Sequence, residues 1–142
     1  MPLTSDRAIA DVLHTVKTIA LLGASHKPQR PSFRVMQFLL SHNFKVVPVN
    51  PGLSGTELLG QRVYGSLAVV PCPIDMVDVF RNSSHLPAIV DDVIGLGIHT
   101  LWTQLDVVDE EAARHAERHG IRVVMDRCPA IEWPRLKSVG LL

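Results

Sequence analysis

The sequence predicts an α/β fold: a parallel sheet of about five strands with helices on both faces. Three observations carry this expectation. Short runs rich in valine and isoleucine alternate with stretches whose apolar residues recur every three or four positions, the spacing of one helix face. The runs Ile19–Leu22 and Val46–Val49 are almost wholly apolar, as strands covered on both sides must be. No hairpin signal joins successive strands, so each return is expected to cross over through a helix.

Taken in order, Ile9, Val12, Leu13 and Val16 form the buried stripe of a first helix, with Ser5 as its N-cap. The first strand is Thr18–Leu22. Pro31 suits the first turn of the next helix, where its missing N–H costs nothing. Val35, Met36, Leu39 and Leu40 give that helix one apolar face. The second strand, Lys45–Val49, ends at Asn50-Pro51, and Pro48 within it predicts a strand end or a bulge. Residues 51–73 are the longest irregular stretch, punctuated by Gly52, Gly55, Gly60 and Gly65, with Tyr64 near the middle.

The third strand is Ile74–Phe80. A helix follows, with Leu86, Ile89, Val90, Val93 and Ile94 on one stripe and Gly95 or Gly97 at its end. The fourth strand is Ile98–Trp102. Asp109, Glu110 and Glu111 open the next helix with acids at its positive end, and Gly120 closes it. The fifth strand is Ile121–Met125, and Cys128–Lys137 holds a short final helix. Right-handed crossovers turn this order into a Rossmann-like doubly wound sheet. Ligands of such sheets bind beyond the carboxyl ends of the strands. The segments expected there are Gly23–Ser32, Asn50–Pro51, Phe80–His85 and Trp102–Gln104.

The chain has 142 residues, which suits one domain over residues 1–142. A domain of this size buries roughly 70% of the surface its unfolded chain exposes, so the core needs no disulfide or metal. Fourteen basic residues balance fourteen acidic ones. No global field therefore attracts nucleic acid or a membrane surface, and any anion site must come from local charge. Cys72 and Cys128 follow no metal-ligand spacing and read as reduced thiols of a cytoplasmic protein. Asp6, Arg7 and Asp11 argue against a signal peptide, and no apolar run reaches membrane-spanning length.

Local charge is found after the first strand. Gly23 permits a sharp turn through positive φ. Free N–H groups and the positive end of the following helix then face whatever lies above the strand, and Lys27 and Arg30 add charge of the same sign. This favours a phosphate-bearing ligand. The dinucleotide fingerprint needs three glycines and an acid at the end of the second strand. Here only Gly23 is present, and the second strand ends in Val49-Asn50-Pro51 without a carboxylate. NAD is a poor fit.

Seven short segments recur in a known order: Gly23-Ala24-Ser25, Arg30-Pro31-Ser32, Val49-Asn50-Pro51, Gly60 with Tyr64, Val79-Phe80-Arg81, Trp102-Thr103-Gln104, and Val124-Met125-Asp126-Arg127-Cys128. In these the sequence resembles the single-domain CoA-binding protein family, over about residues 5–137. That family's fold is similar to the N-terminal CoA-binding domain of the succinyl-CoA synthetase α subunit. The resemblance implies a domain that binds coenzyme A or an acyl-CoA at the carboxyl edge of the sheet, without catalysis of its own. It implies that Gly23 and Ala24 form the turn, and that Ser25, His26, Lys27 and Pro28 lie against the CoA diphosphate. Arg30 and Ser32 are further anion partners. Asn50 and Pro51 would border the adenosine, Phe80 and Arg81 would wall the site, and Trp102, Thr103 and Gln104 would approach the pantetheine arm. The chain lacks the later synthetase domain with its phosphorylated histidine loop.

Rival readings remain beside this one. The chain is alternatively a subunit of an acyl-CoA ligase, a nucleotide-dependent oxidoreductase, or an interaction module whose ligand only stabilises the fold. No nucleophile–base–orienter triad supports an enzyme. Trp102 suits core packing as well as site lining, and Phe80 is similar. His115 and His119 share a helix face, but a solvated face explains them better than a metal. Asp75 and Asp78 point to opposite faces of a strand, which argues against paired acid–base work. Cys128 follows the fifth strand on the ligand edge. It is either an inert core thiol or a site for a mixed disulfide with CoA.

Overall fold

The computed structural model describes all 142 residues. Helix α1 (Asp6–Thr15) starts where the Ser5 hydroxyl accepts the Ala8 N–H at 3.2 Å. It leads into β1 (Thr18–Leu22), α2 (Pro31–Ser41) and β2 (Lys45–Val49). Two short strands follow, β3 (Glu57–Leu58) and β4 (Gln61–Arg62). Then come β5 (Met76–Val79), α3 (Leu86–Gly95), β6 (Thr100–Thr103), α4 (Glu110–Arg118), β7 (Arg122–Val124) and α5 (Pro129–Ser138). Asp109 caps α4 by accepting the Ala112 N–H at 3.0 Å.

The main sheet has five parallel strands in the order β2-β1-β5-β6-β7. Alternation along each strand sends side chains to two cores. Ile19, Leu21, Val46, Met76 and Trp102 pack under α1, α2 and α5. Ala20, Leu22, Val77, Val79, Leu101 and Val123 pack under α3 and α4. Buried Glu132 on α5 pairs with Arg127 and Arg135, each at 2.9 Å, and Arg135 also reaches Asp6 at 2.9 Å. That network ties α5 to α1. No helix is long and apolar enough to cross a membrane.

The chain leaves β1 toward β2 on one side, and β5 then pairs with β1 on the other. The loops after β1 and β5 therefore diverge above the centre of the sheet, which is the switch point where such folds open a cleft.

Three expectations need correction. A hairpin does exist: β3 and β4 pair antiparallel within the stretch expected to be irregular. Its two-residue turn, Leu59-Gly60, holds φ at 49° and 79°, the doubly positive geometry that matches strand twist. Leucine rarely adopts that conformation, so the sequence carries no usual turn signal. Pro48 neither ends nor bulges β2, because its carbonyl points away from β1 and accepts the Tyr64 N–H at 3.0 Å. The missing N–H thus falls on the side that β1 does not need. The last three strands of the sheet are shorter than, or shifted by up to two residues from, their expected bounds.

Both outer strands carry cover. Tyr64 bridges Val49 on β2, and the Leu3 N–H donates to the Val123 carbonyl of β7 at 2.7 Å.

Candidate functional site

A cavity of about 850 Å³ lies at the carboxyl edge, walled by the loops after β1, β2, β5 and β6. That size falls in the range of small-molecule and cofactor sites.

The first wall begins at Gly23, whose φ is 95°. A Cβ there would stand 3.2 Å from the Phe80 carbonyl carbon, 3.3 Å from the Phe80 Cβ and 3.4 Å from Arg81 Cδ. Only glycine lets the β1 and β5 loops approach this closely. The Gly23 and Ala24 N–H groups both donate to the Val49 carbonyl, at 3.0 and 3.2 Å. Ser25 fixes the next turn, its hydroxyl accepting the Lys27 N–H at 3.1 Å. The N–H groups of Ser25, His26 and Ser32 find no acceptor within the protein. Arg30 occupies the N-cap of α2 without a side-chain cap, and Pro31 follows. This eleven-residue helix therefore offers its positive end to the cleft. His26, Lys27 and Arg30 are exposed on the same wall, while Ser32 is buried beneath it.

The second wall is Asn50, Gly52 and Leu53. Asn50 donates from Nδ2 to the Ala24 carbonyl at 2.7 Å and accepts the Gly52 N–H at Oδ1, at 2.8 Å. The third is Phe80 and Arg81, where Arg81 Nη2 lies 3.3 Å from His85 Nε2. The fourth is Gln104 to Val107. The Gln104 N–H donates to the Val79 carbonyl at 3.0 Å, and its side chain is 6% exposed with no donor to Oε1.

The cleft thus gathers Gly23, Ala24, Ser25, His26, Lys27, Arg30, Ser32, Asn50, Phe80, Arg81 and Gln104 from the expected set. Four others stand outside it. Trp102 is fully buried among the α1, α2 and α5 side chains, and its indole N–H donates to the Arg127 carbonyl at 2.7 Å. Thr103 alternates to the other face, where Oγ1 donates to the Val107 carbonyl at 2.6 Å and accepts the Asp126 N–H at 3.0 Å. Pro28 and Pro51 flank the lining without joining it. The sequence reading missed Gly52, Leu53, Leu105, Asp106 and Val107. No side-chain pattern marks them, and only the positive φ of 67° at Asp106 sets that turn apart.

Cys128 also lies outside the cavity. It is the N-cap of α5, only 7% exposed, and packs into the core beneath that helix. Arg127 beside it is committed to Glu132. His115 Nε2 stands 3.4 Å from Asp91 Oδ1, and His119 Nδ1 stands 3.0 Å from the His115 carbonyl. Asp75 accepts the Lys17 and Thr18 N–H groups at 3.0 and 2.9 Å and so anchors the start of β1. Asp78 pairs in register with Leu21 and Trp102, fully buried and without a hydrogen-bond partner. Burial pushes its carboxyl pKa well above the usual range.

A doubly wound parallel sheet with its cleft at the switch point defines a Rossmann-like domain. The chain belongs to the CoA binding domain family, whose profile matches residues 17–134. It is 34% identical over 124 residues to the uncharacterized protein YneT of Bacillus subtilis, covering 87% of this chain and 90% of that one. The solved structure of cell-free ID.343 from Thermus thermophilus superposes with a TM-score of 0.89 at 36% identity, covering 94% of this chain and 99% of that one. A more distant relative is the α subunit of acetate–CoA ligase (ADP-forming) I of Pyrococcus furiosus, 23% identical over 128 residues. That match covers 80% of this chain but 28% of the ligase subunit.

Proposed function

We propose that this protein binds coenzyme A, free or acylated, in the cleft above β1 and β5, and carries out no chemistry of its own there. The observation that carries the reading is the uncapped N-terminus of α2. Unpaired N–H groups of Ser25, His26 and Ser32 share one wall with Lys27 and Arg30, in a chain of the CoA binding domain family. These groups take the diphosphate, since helix-end amides and cations both favour anions. Arg81 supplies further positive charge across the cleft. The nucleoside end lies over β2, where Rossmann-like folds place the ribose. Asn50 stands where a carboxylate would hold the NAD ribose diol, and both ends of its carboxamide are already engaged. Two free thiols, Cys72 and Cys128, suit the reducing cytoplasm in which we place the protein.

Melting curves with CoA, acetyl-CoA, NAD, NADP and ATP test this directly, because a ligand of the native state raises the melting temperature by mass action. CoA and acetyl-CoA are expected to give the largest shifts. A larger shift with NAD overturns the reading. The relation to the ligase α subunit supports a second reading, in which the domain serves a larger acyl-CoA ligase assembly. Acyl-CoA formation that depends on adding this chain to a candidate catalytic partner would favour it.

A further inference from the structure

Arg81 reaches the cleft along a defined path. Its Cδ lies 3.4 Å from the point where a Gly23 Cβ would stand, so its stem runs over the turn after β1. Its guanidinium ends beside the exposed imidazole of His85, with Nη2 3.3 Å from Nε2. Arginine has only donors to offer, so this contact is a hydrogen bond only when His85 Nε2 carries a lone pair. The pair therefore requires a neutral imidazole with its proton on Nδ1. The segment that presents His85 is itself braced. Asn82 Oδ1 accepts the Ser84 N–H at 3.0 Å, the Asn82 carbonyl accepts the His85 N–H at 2.9 Å, and Ser83 Oγ accepts the Val108 N–H at 2.8 Å. Arg81 lines the cleft, and His85 stands behind it.

We infer that His85 is a positioning residue for CoA binding: its neutral imidazole holds the Arg81 guanidinium toward the ligand, and its protonation lets that guanidinium go. This rests on the CoA reading above. Held through one N–H, the guanidinium keeps its other donors for a phosphate. Binding then need not order a long, rotamer-rich side chain, a cost that otherwise subtracts from affinity. A protonated imidazole has no lone pair at Nε2 and sets a second cation against the first. Both changes release Arg81. Charged neighbours do not offset this. The wall after β1 presents His26, Lys27 and Arg30, and the loop after β6 presents Asp106. On α3, Asp92 is exposed and Asp91 faces His115 of α4, where Asp109, Glu111 and Arg118 gather as well. No carboxylate forms an ion pair with His85, so its added charge falls on Arg81.

The test is calorimetry with CoA at about pH 6 and about pH 8, either side of the usual imidazole titration, on the full chain and its His85→Leu and His85→Gln variants. Leucine removes the acceptor, whereas glutamine keeps one that takes no proton. Ratios of variant to unsubstituted protein at one pH cancel the titration of CoA and of His26. At about pH 8, His85→Leu is expected to weaken CoA about 3-fold, and His85→Gln to stay within about 1.5-fold. At about pH 6 the His85→Leu loss should shrink, and His85→Gln should bind about 2-fold tighter than the unsubstituted protein. In an Arg81→Met background neither change at His85 should matter. A His85→Leu loss that is absent at the higher pH, equal at both, or undiminished without Arg81 overturns the inference while the CoA reading stands. Nitrogen-15 shifts of the His85 ring, read without ligand at the higher pH, are expected to place the proton on Nδ1. A proton on Nε2 overturns the inference whatever the calorimetry gives. Failure of the unsubstituted protein to bind CoA at the higher pH removes the functional reading and this inference with it.

Discussion

Asn50 holds Ala24 in place across the sheet edge: Nδ2 donates to the Ala24 carbonyl at 2.7 Å while Oδ1 accepts the Gly52 N–H at 2.8 Å. The end of β2 thereby sets the position of the loop after β1. Asn50→Ala is expected to cost about 1–3 kcal/mol of stability through the two lost partners. CoA binding should weaken as well, because the anion wall loses its brace. Urea denaturation and calorimetry check both. Unchanged stability would show that the loop holds its place without Asn50.

Gly23→Ala should be harmful for a different reason. The variant needs φ of 95° with a side chain and sets a Cβ 3.2 Å from the Phe80 backbone. Strain of this kind costs about 1–3 kcal/mol. Relief by separating the β1 and β5 loops would widen the cleft, so binding should suffer more than folding. Paired melting and calorimetric measurements read the two effects separately.

Arg30→Ala should leave the fold intact, since Arg30 is exposed and makes no side-chain cap. A charge-assisted phosphate contact contributes about 1.5–3 kcal/mol, so CoA affinity is expected to fall roughly 10- to 100-fold. The loss should shrink as salt rises and screens the pair. An unchanged dissociation constant at low salt takes Arg30 out of the site.

Asp78 gives stability a pH dependence of definite sign. Burial raises its carboxyl pKa in the folded state, whereas the unfolded chain titrates near the ordinary value of about 3.9. Between those values the folded state holds the extra proton. The stability linked to Asp78 is therefore fully present below the unfolded pKa and is lost as pH rises through the raised folded value. Asp78→Asn removes this ionisation and should flatten the profile on the alkaline side. Urea midpoints from about pH 5 to about pH 9 compare the two proteins, and parallel profiles would assign the dependence to another group.

Trp102→Phe separates packing from lining. It deletes the indole N–H and strands the Arg127 carbonyl, at an expected cost of about 1–3 kcal/mol. CoA affinity should not change. A selective loss of affinity would return Trp102 to the site.

The first two strands were legible to the residue, Thr18–Leu22 and Lys45–Val49, because a continuous apolar run bounded by polar residues leaves little choice of register. The helices were legible through their stripes and caps, Ser5 and Asp109 among them. The β1 loop could be read as one wall of a cleft because glycine, cations and a proline-started helix fall together in sequence. Trp102 could not be assigned from sequence. Its environment depends on α5 and on the Arg127 carbonyl, 25 residues away. Asn50 was read as a site residue, but its contact with Ala24 spans 26 positions and has no local signature. Gln104 was placed near the ligand by resemblance, and only the structure shows that its carbonyl is unpaired. The hairpin was hidden because Leu59 adopts a backbone conformation that its identity does not advertise.

The covered flanks of the sheet bear on how the protein behaves in a crowded solution. An outer strand with a free row of amides and carbonyls can recruit the same strand from another molecule and seed fibrous aggregates. Here Tyr64 occupies part of the β2 flank, and the segment leading into α1 occupies part of the β7 flank through Leu3. Residues that contribute nothing to the cleft thus act as guards against self-templating. Their loss would show first as insolubility on concentration.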